Sequence, residues 1–286
     1  MAAVTDAGPA SPPARVASAP AARRRRSLPV WRWIILLGAG IYFLIPLYAA
    51  LRFSGFGTFG QVFSQTGFSD ALILSVKLAL VTTVLTLVLM VPTTIYVHLR
   101  LPRIRPLLES ITILPIVIPP VVLILGVLDV SPPSLKGTPY LLALVYVILA
   151  MPFAYRSLDA GLRSLDLKTL VDASNSLGAG WPVTLWRVIL PNLRTAVLSA
   201  TVLTVALVLG EFTMASLDQY QTFPVWIVNF DQTSGPVSVA ASLFALFVTW
   251  IFLLAITMMG GRTARRIGGG QVDLVSVAHQ ETGDSR

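Results

Sequence analysis

Cysteine is absent from the 286 residues, and histidine occurs only twice, at His98 and His279. The first absence excludes a disulfide scaffold, thiolate metal sites and a cysteine nucleophile; it leaves the redox compartment open. The two histidines, read as ordinary loop and tail residues, form no H-E-x-x-H zinc motif. No G-x-S-x-G elbow occurs, and no G-x-x-x-x-G-K-[ST] phosphate loop; the GGRT at 260–263 lacks both the spacing and the lysine. Charge is scarce as well, at 12% of residues where a soluble domain carries about 25%. Hydrolysis or group transfer needs placed acids, a nucleophile or a metal. None is found, so the expectation is a chain that is no enzyme and holds no metal or cofactor.

What the sequence does have is apolar length. Hydrophobic residues make up 55% of it, and runs of about 20 recur, enough to cross ~30 Å of hydrocarbon. Six spans are expected, at roughly 30–51, 71–97, 108–128, 139–155, 194–215 and 237–260. The fold class is therefore all-α and polytopic. Pro92 lies in the second span, and Pro115, Pro119 and Pro120 in the third, where proline kinks a helix and frees carbonyls.

The net charge of +8 would suggest nucleic acid on a soluble protein. Here the cations sit between spans and speak for membrane lipid instead. His98, Arg100, Arg103 and Arg105 follow span two; Arg156, Arg163, Lys168, Arg187 and Arg194 lie between spans four and five; Arg262, Arg265 and Arg266 follow span six. Only Arg52, Lys77 and Lys136 fall on the other side. The positive-inside rule then puts both termini in the cytoplasm. Residues 1–29, rich in Ala, Pro, Ser and Arg, read as a disordered basic cytoplasmic tail, with Arg23–Arg26 as a topogenic cluster. A cleavable signal peptide fits this start poorly. Residues 263–286 read as a second cytoplasmic tail.

The longest internal loop, about 156–193, is polar and glycine-broken. Leu158, Leu162 and Leu165 recur at helical spacing, so span four should continue past the membrane. Asp166 is placed to cap a helix over 167–177 with Leu170, Ala173 and Leu177 on one face. Gly178 falls where a left-handed residue ends a helix, and Pro182 where a new one begins. Pro191 should end that third helix. Small side chains at Ala173, Ser174, Ser176 and Ala179 would admit another surface. Periodicity alone leaves a docking helix and a helix resting on lipid about even.

The segment Asp172-Ala173-Ser174-x-x-x-Gly178, followed by Leu190–Pro191 twelve and thirteen residues after the glycine, resembles the EAA loop of type I ABC-importer permeases. Asp172 stands for the family's Glu, Ser174 for its second Ala and Val188 for its Ile. The stretch PTTIYVHLRLPRIRPLLESITILPIVIPP is similar to the family's basic loop and proline-rich third span, and the likeness covers about 30–262. The resemblance implies a permease domain over 30–262 in the plasma (inner) membrane. It implies two cytoplasmic ATPase subunits, a second permease, homologous or identical, and an extracytoplasmic solute-binding protein. It makes 170–191 a coupling helix that fits a groove on the ATPase, with Asp172 facing basic or amide groups and Gly178 setting the corner. Leu177 and Trp181 would be apolar contacts or anchors to the bundle. Among such permeases the length and an internal Gly-Glu-Phe suggest a polyamine solute of the spermidine/putrescine kind, with phosphonate, iron, sulfate and molybdate as alternatives.

Charged residues within spans are costly and draw a functional reading first. Glu211, in VLGEFTMASL, is placed in the translocation path or hydrogen-bonded inside the bundle; Lys77 snorkels outward; Glu109 pairs with Arg103 or Arg105. In the outer loop 216–236, Tyr220, Phe223, Trp226 and Phe230 read as interfacial belt residues, with receptor docking as the rival reading. Outside the permease family, a lipid-modifying enzyme, a membrane scaffold and a proton-coupled carrier stay open.

Overall fold

The computed structural model describes residues 30–281, with side chains placed at 31 and 33–258. The expected basic tail 1–29 lies outside the described residues. Among the described residues there is no strand. The chain divides at Pro46/Leu47 into two units. Helix α1 (Val30–Ser54) spans that boundary and carries Pro46. All other elements belong to the second unit. They are α2 (Thr58–Phe63), α3 (Phe68–Arg100), α4 (Arg105–Val117), α5 (Pro120–Val130), α6 (Pro139–Arg163), α7 (Leu167–Ser176), α8 (Trp181–Thr184), α9 (Leu190–Gly210), α10 (Thr213–Leu217), α11 (Phe223–Asp231) and α12 (Gly235–Glu281). The last helix thus continues through most of the expected tail 263–286.

Among the described residues five helices are long and apolar enough to cross a membrane; the α4 and α5 segments qualify only as a pair, bent by 100°. The bend answers to Pro119 and Pro120. Neither can donate a backbone hydrogen bond, and Ile118 before them is driven to extended geometry at ψ 123°. The third span expected over 108–128, with prolines that kink it, is therefore two short helices.

Cross-helix contacts fix the directions. Thr82 Oγ1 reaches the Ala143 carbonyl, 61 residues on, and His98 meets Asp159 at the same spacing, so α3 and α6 run parallel. As α6 advances from Tyr146 through Ser157 to Gly161, its partners on α9 retreat from the Glu211 end through Ser199 to Ala196, so these two are antiparallel. Two parallel neighbours require the chain to cross back between them. The bent α4–α5 pair makes that crossing.

The buried side chains lie in three layers along the bundle. One at the Arg-rich end, called the basic end below, holds Ile95, Tyr155, Leu158, Ile189 and Leu193. A middle layer holds Leu78, Ile124, Leu142, Tyr146 and Met214. The far layer holds Val62, Phe68, Phe223, Trp226 and Val237. In lipid the helices gain by close packing rather than by leaving water, and small residues set how close they come. Gly161 is the tightest such point: a Cβ there would lie 2.4 Å from the Ala196 Cβ. Val84 and Val88 on α3, with Ile251 and Leu254 on α12, are apolar and exposed, as residues that meet lipid would be.

The aromatic cluster after α10 departs from the belt expectation. Phe223 stacks on Trp226 at 5.7 Å, Trp226 on Phe230 at 5.1 Å, and Phe223 and Trp226 are buried. Proline at the start of α11 turns that short helix inward, where the Trp226 indole donates to the Thr66 carbonyl at 3.1 Å. These rings are core.

Candidate functional site

The polar loop grows directly out of α6. Leu158 and Leu162 are buried, so the helix runs on to Arg163 as its periodicity predicts. Asp166 then caps α7: one carboxylate oxygen accepts the Thr169 N–H at 3.3 Å, the other the Thr169 hydroxyl at 2.7 Å. These two hydrogen bonds hold its pKa below the ordinary carboxylate value. At the far end Gly178 takes φ +76°. Its N–H bonds to the Asn175 carbonyl at 2.9 Å and the Ala179 N–H to Ser174 at 3.1 Å, the double closure of a Schellman motif. Gly180 is the N-cap of α8, with Pro182 in its first turn.

The inward face of α7 is formed by Leu167 and Ser174, both buried, with Val171 packed between them; of the face read from the sequence, Leu170 is half-buried and Ala173 and Leu177 are exposed. Leu167 directly after the cap sets this phase, and every fourth or third residue from it points to the bundle. Ser174 therefore does not offer room to another surface; its hydroxyl meets that of Thr184 at 2.8 Å and ties α7 to α8. Asp172, Ala173, Asn175, Ser176 and Leu177 form the outward face, Leu177 at 87% exposure. Trp181 is 47% exposed and lines, with Arg100, Lys168 and Asp172, a cavity of about 600 Å³ between α7 and the end of α3.

Pro191 does not end a helix. Residues 185–189 form a π-helical turn, and the Leu190 N–H bonds back to the Leu185 carbonyl. The wider turn accommodates the proline ring, which in a regular α-helix would strike the carbonyl of residue 187. Leu190 keeps helical angles (φ −59°, ψ −42°). The fifth span therefore starts at Trp181 and is continuous to Gly210.

Sequence reasoning missed a charged cluster just behind this loop. Asp159 on α6 is buried; its Oδ1 accepts from Arg105 Nε at 2.9 Å and from a terminal nitrogen of the same side chain at 2.7 Å. Its Oδ2 meets Arg163 Nε at 2.7 Å, and His98 Nε2 stands 3.1 Å from Oδ1. The pairing expected between Glu109 and Arg105 is replaced by this one. His98 is no loop residue either: it lies in the last turn of α3, and its Nδ1 donates to the Thr94 carbonyl at 2.8 Å. The signal available was an acid four residues before Arg163 on a helix whose leucines predict burial around it.

Residues 90–268 match the model of the family described as binding-protein-dependent transport system inner membrane component. The chain belongs to this family. It is a multi-pass permease subunit of a type I ABC importer. Such a permease works with an ATPase, a binding protein and a second permease, and it is not itself an enzyme. The enzyme, scaffold and carrier alternatives are thereby set aside. The permease is 29% identical over 255 residues to the molybdenum transport system permease protein ModB of Mycobacterium tuberculosis, covering 82% of this chain and 95% of that one. It is 30% identical over 133 residues to the sulfate transport system permease protein CysW of Synechococcus elongatus, 44% of this chain and 46% of that one. A third relative, over 129 residues at 32%, is the Fe(3+)-transport system permease protein FbpB 2 of Haemophilus influenzae, covering 44% and 25%. These names lend no support to the polyamine preference read from the sequence.

Glu211 lies between α9 and α10 in this permease, half-buried. Tyr146 donates its hydroxyl to Oε2 at 2.9 Å; Met214 N–H reaches Oε1 at 2.8 Å and Ala215 N–H reaches Oε2 at 3.3 Å. The carboxylate thus caps α10 and pins it to α6. A cavity of about 890 Å³ among α3, α9, α11 and α12 is lined chiefly by apolar residues such as Val76, Leu80, Leu209, Phe247 and Leu253. It offers no charged group to a solute.

Proposed function

We propose that this permease forms half of the pathway of an importer for a tetrahedral oxyanion, molybdate first and sulfate second. The observation that supports molybdate is the likeness to ModB over 95% of that protein's length. Glu211, whose two oxygens accept from the Tyr146 hydroxyl and the Met214 and Ala215 N–H groups, is given a structural role. On this reading Glu211 shapes the wall of the path by holding α10 and does not touch solute.

The basic end faces the cytoplasm, and the ATPase docks on the outward face of α7. Asp172, Ala173 and Leu177 supply an acid, a small residue and a protruding apolar side chain there, the Gly178 corner presents them, and Trp181 flanks them. Ser174, Leu190 and Pro191 act from behind, by fixing α7 and the start of α9. Closure of the ATPase dimer on ATP draws the two coupling helices together and reorients the spans. The receptor delivers the solute at the opposite face.

The test is uptake into proteoliposomes holding the permease, its ATPase and its receptor. Labelled molybdate should enter with ATP and be displaced by excess tungstate or sulfate, not by spermidine; displacement by spermidine alone would reject the oxyanion reading. Asp172→Lys should reduce recovery of the ATPase with the permease, and full recovery would remove Asp172 from the docking face.

A further inference from the structure

We infer that Asp159 is a positioning residue for energy coupling: it locks the basic ends of α3, α4 and α6 to one another, so that they move with α7 as one body. The inference rests on the importer reading above, since it concerns how a push on α7 reaches the spans.

Asp159 stands between two fixed points. On one side of α6, Gly161 brings the helix onto Ala196 of α9 too closely for any Cβ, so these helices cannot slide past each other without parting. On the other, α6 packs on α3 through Ile95, Ala154, Tyr155 and Leu158, and the carboxylate adds a charged connection to α4. It reaches α4 through Arg105, the first residue of that helix, while His98 of α3 stands 3.1 Å away with its Nε2 making no hydrogen bond, so α3 is held through the turn that joins it to α4. Residues 101–104 between these two helices form a single short turn, so one acid clamps the whole elbow. Arg163, one turn further along α6, occupies the second oxygen and fixes the carboxylate plane.

The chain then leads straight from the clamp to the docking helix. Three residues after Arg163, Asp166 caps α7, and Leu167 and Val171 pack into the layer that contains Leu158, Leu162 and Leu193. A displacement of α7 therefore acts on α6 through covalent chain and core together. Without the carboxylate, the step from α6 to the α3–α4 elbow depends on the buried apolar packing of Ile95, Tyr155 and Leu158, which carries no charge-specific direction. Arg105, three-quarters buried, would in addition be left without its acid and would turn outward to water. A charged, directional contact suits a position where two states must be distinguished sharply, since it holds or breaks and does not deform gradually.

The experiment uses the assembled importer in liposomes. Spin labels are placed on cysteines introduced at Lys168 of α7 and Ser110 of α4, both exposed, and the permease, which has no other cysteine, is labelled before assembly. The label distance should be the same without nucleotide and after trapping with ATP and vanadate. In Asp159→Asn the trapped state should show a shifted or broadened distance, ATP hydrolysis should persist, and molybdate taken up per ATP should fall about tenfold. Asp159→Glu should restore coupling. A second variant, Asp159→Asn with Arg105→Gln, leaves no unpaired cation and should show the same uncoupling in a complex that assembles. A wild-type distance that changes with nucleotide would overturn the single-body inference. So would unchanged uptake per ATP in both variants. Failure of the wild-type chain to bring down an ATPase would remove the importer reading itself, and the positioning role with it.

Discussion

Gly178 sits in open space, with nothing within 4 Å of a built Cβ, yet its φ is +76°. The penalty for a side chain there is thus backbone strain alone, about 1–2 kcal/mol for an ordinary residue and more for a β-branched one. Gly178→Val should leave insertion unchanged and lower ATP-driven uptake, while Gly178→Asn, which tolerates the left-handed region, should retain most of it. Equal uptake by the two variants would show that the corner is not held by φ. This residue was legible from its place after a capped apolar stripe. Asp159 was not, because its hydrogen-bonding partner Arg105 is 54 residues away and no local spacing joins them. Glu211 was legible as important but not as a cap, because its ligands are the backbone of the next helix and a phenol on α6.

Among the elements, those governed by local rules emerged from the sequence: the extension of α6, the Asp166 cap, the glycine corner and the proline start of α8. The phase of α7 and the nature of the aromatic loop did not. Both depend on which side the bundle lies, which a lone amphipathic pattern leaves open by one residue's rotation of about 100°. The loop between α10 and α11 carries its own electrostatic consequence. Asp218 has a buried oxygen without a hydrogen-bond partner, and loss of hydration raises its pKa above the ordinary value. A carboxyl with a raised folded pKa favours the folded state below its unfolded pKa, and that benefit is lost as pH rises through the folded pKa. The melting temperature of the purified permease should therefore fall as pH climbs from about 4 towards neutrality. Asp218→Asn should flatten that slope and raise the neutral value; an unchanged slope would place the titration elsewhere.

For the whole molecule, six crossings and the family were legible because apolar length, charge bias and the EAA-like spacing agree with one another. The bend in the third crossing could be anticipated only as a kink, since four prolines in one stretch do not specify an angle. That bend bears on how the protein is made. Helix α5 has 11 residues, about 16 Å of helix, roughly half the hydrocarbon thickness. The break at Ile118–Pro119 leaves carbonyls that neighbouring protein must shield at membrane depth, and α5 packs on α6 and α10, both synthesised after it. The third crossing should then be unable to settle when it leaves the ribosome and should wait at the insertion machinery for its partners. A nascent chain ending at residue 138 before a soluble reporter should not expose Ser134→Cys to an impermeant maleimide on the face opposite the basic end. The full-length chain should. Equal labelling of both would mean that the hairpin inserts alone. The outcome expected makes insertion of this permease a delayed, cooperative event whose checkpoint is a pair of adjacent prolines.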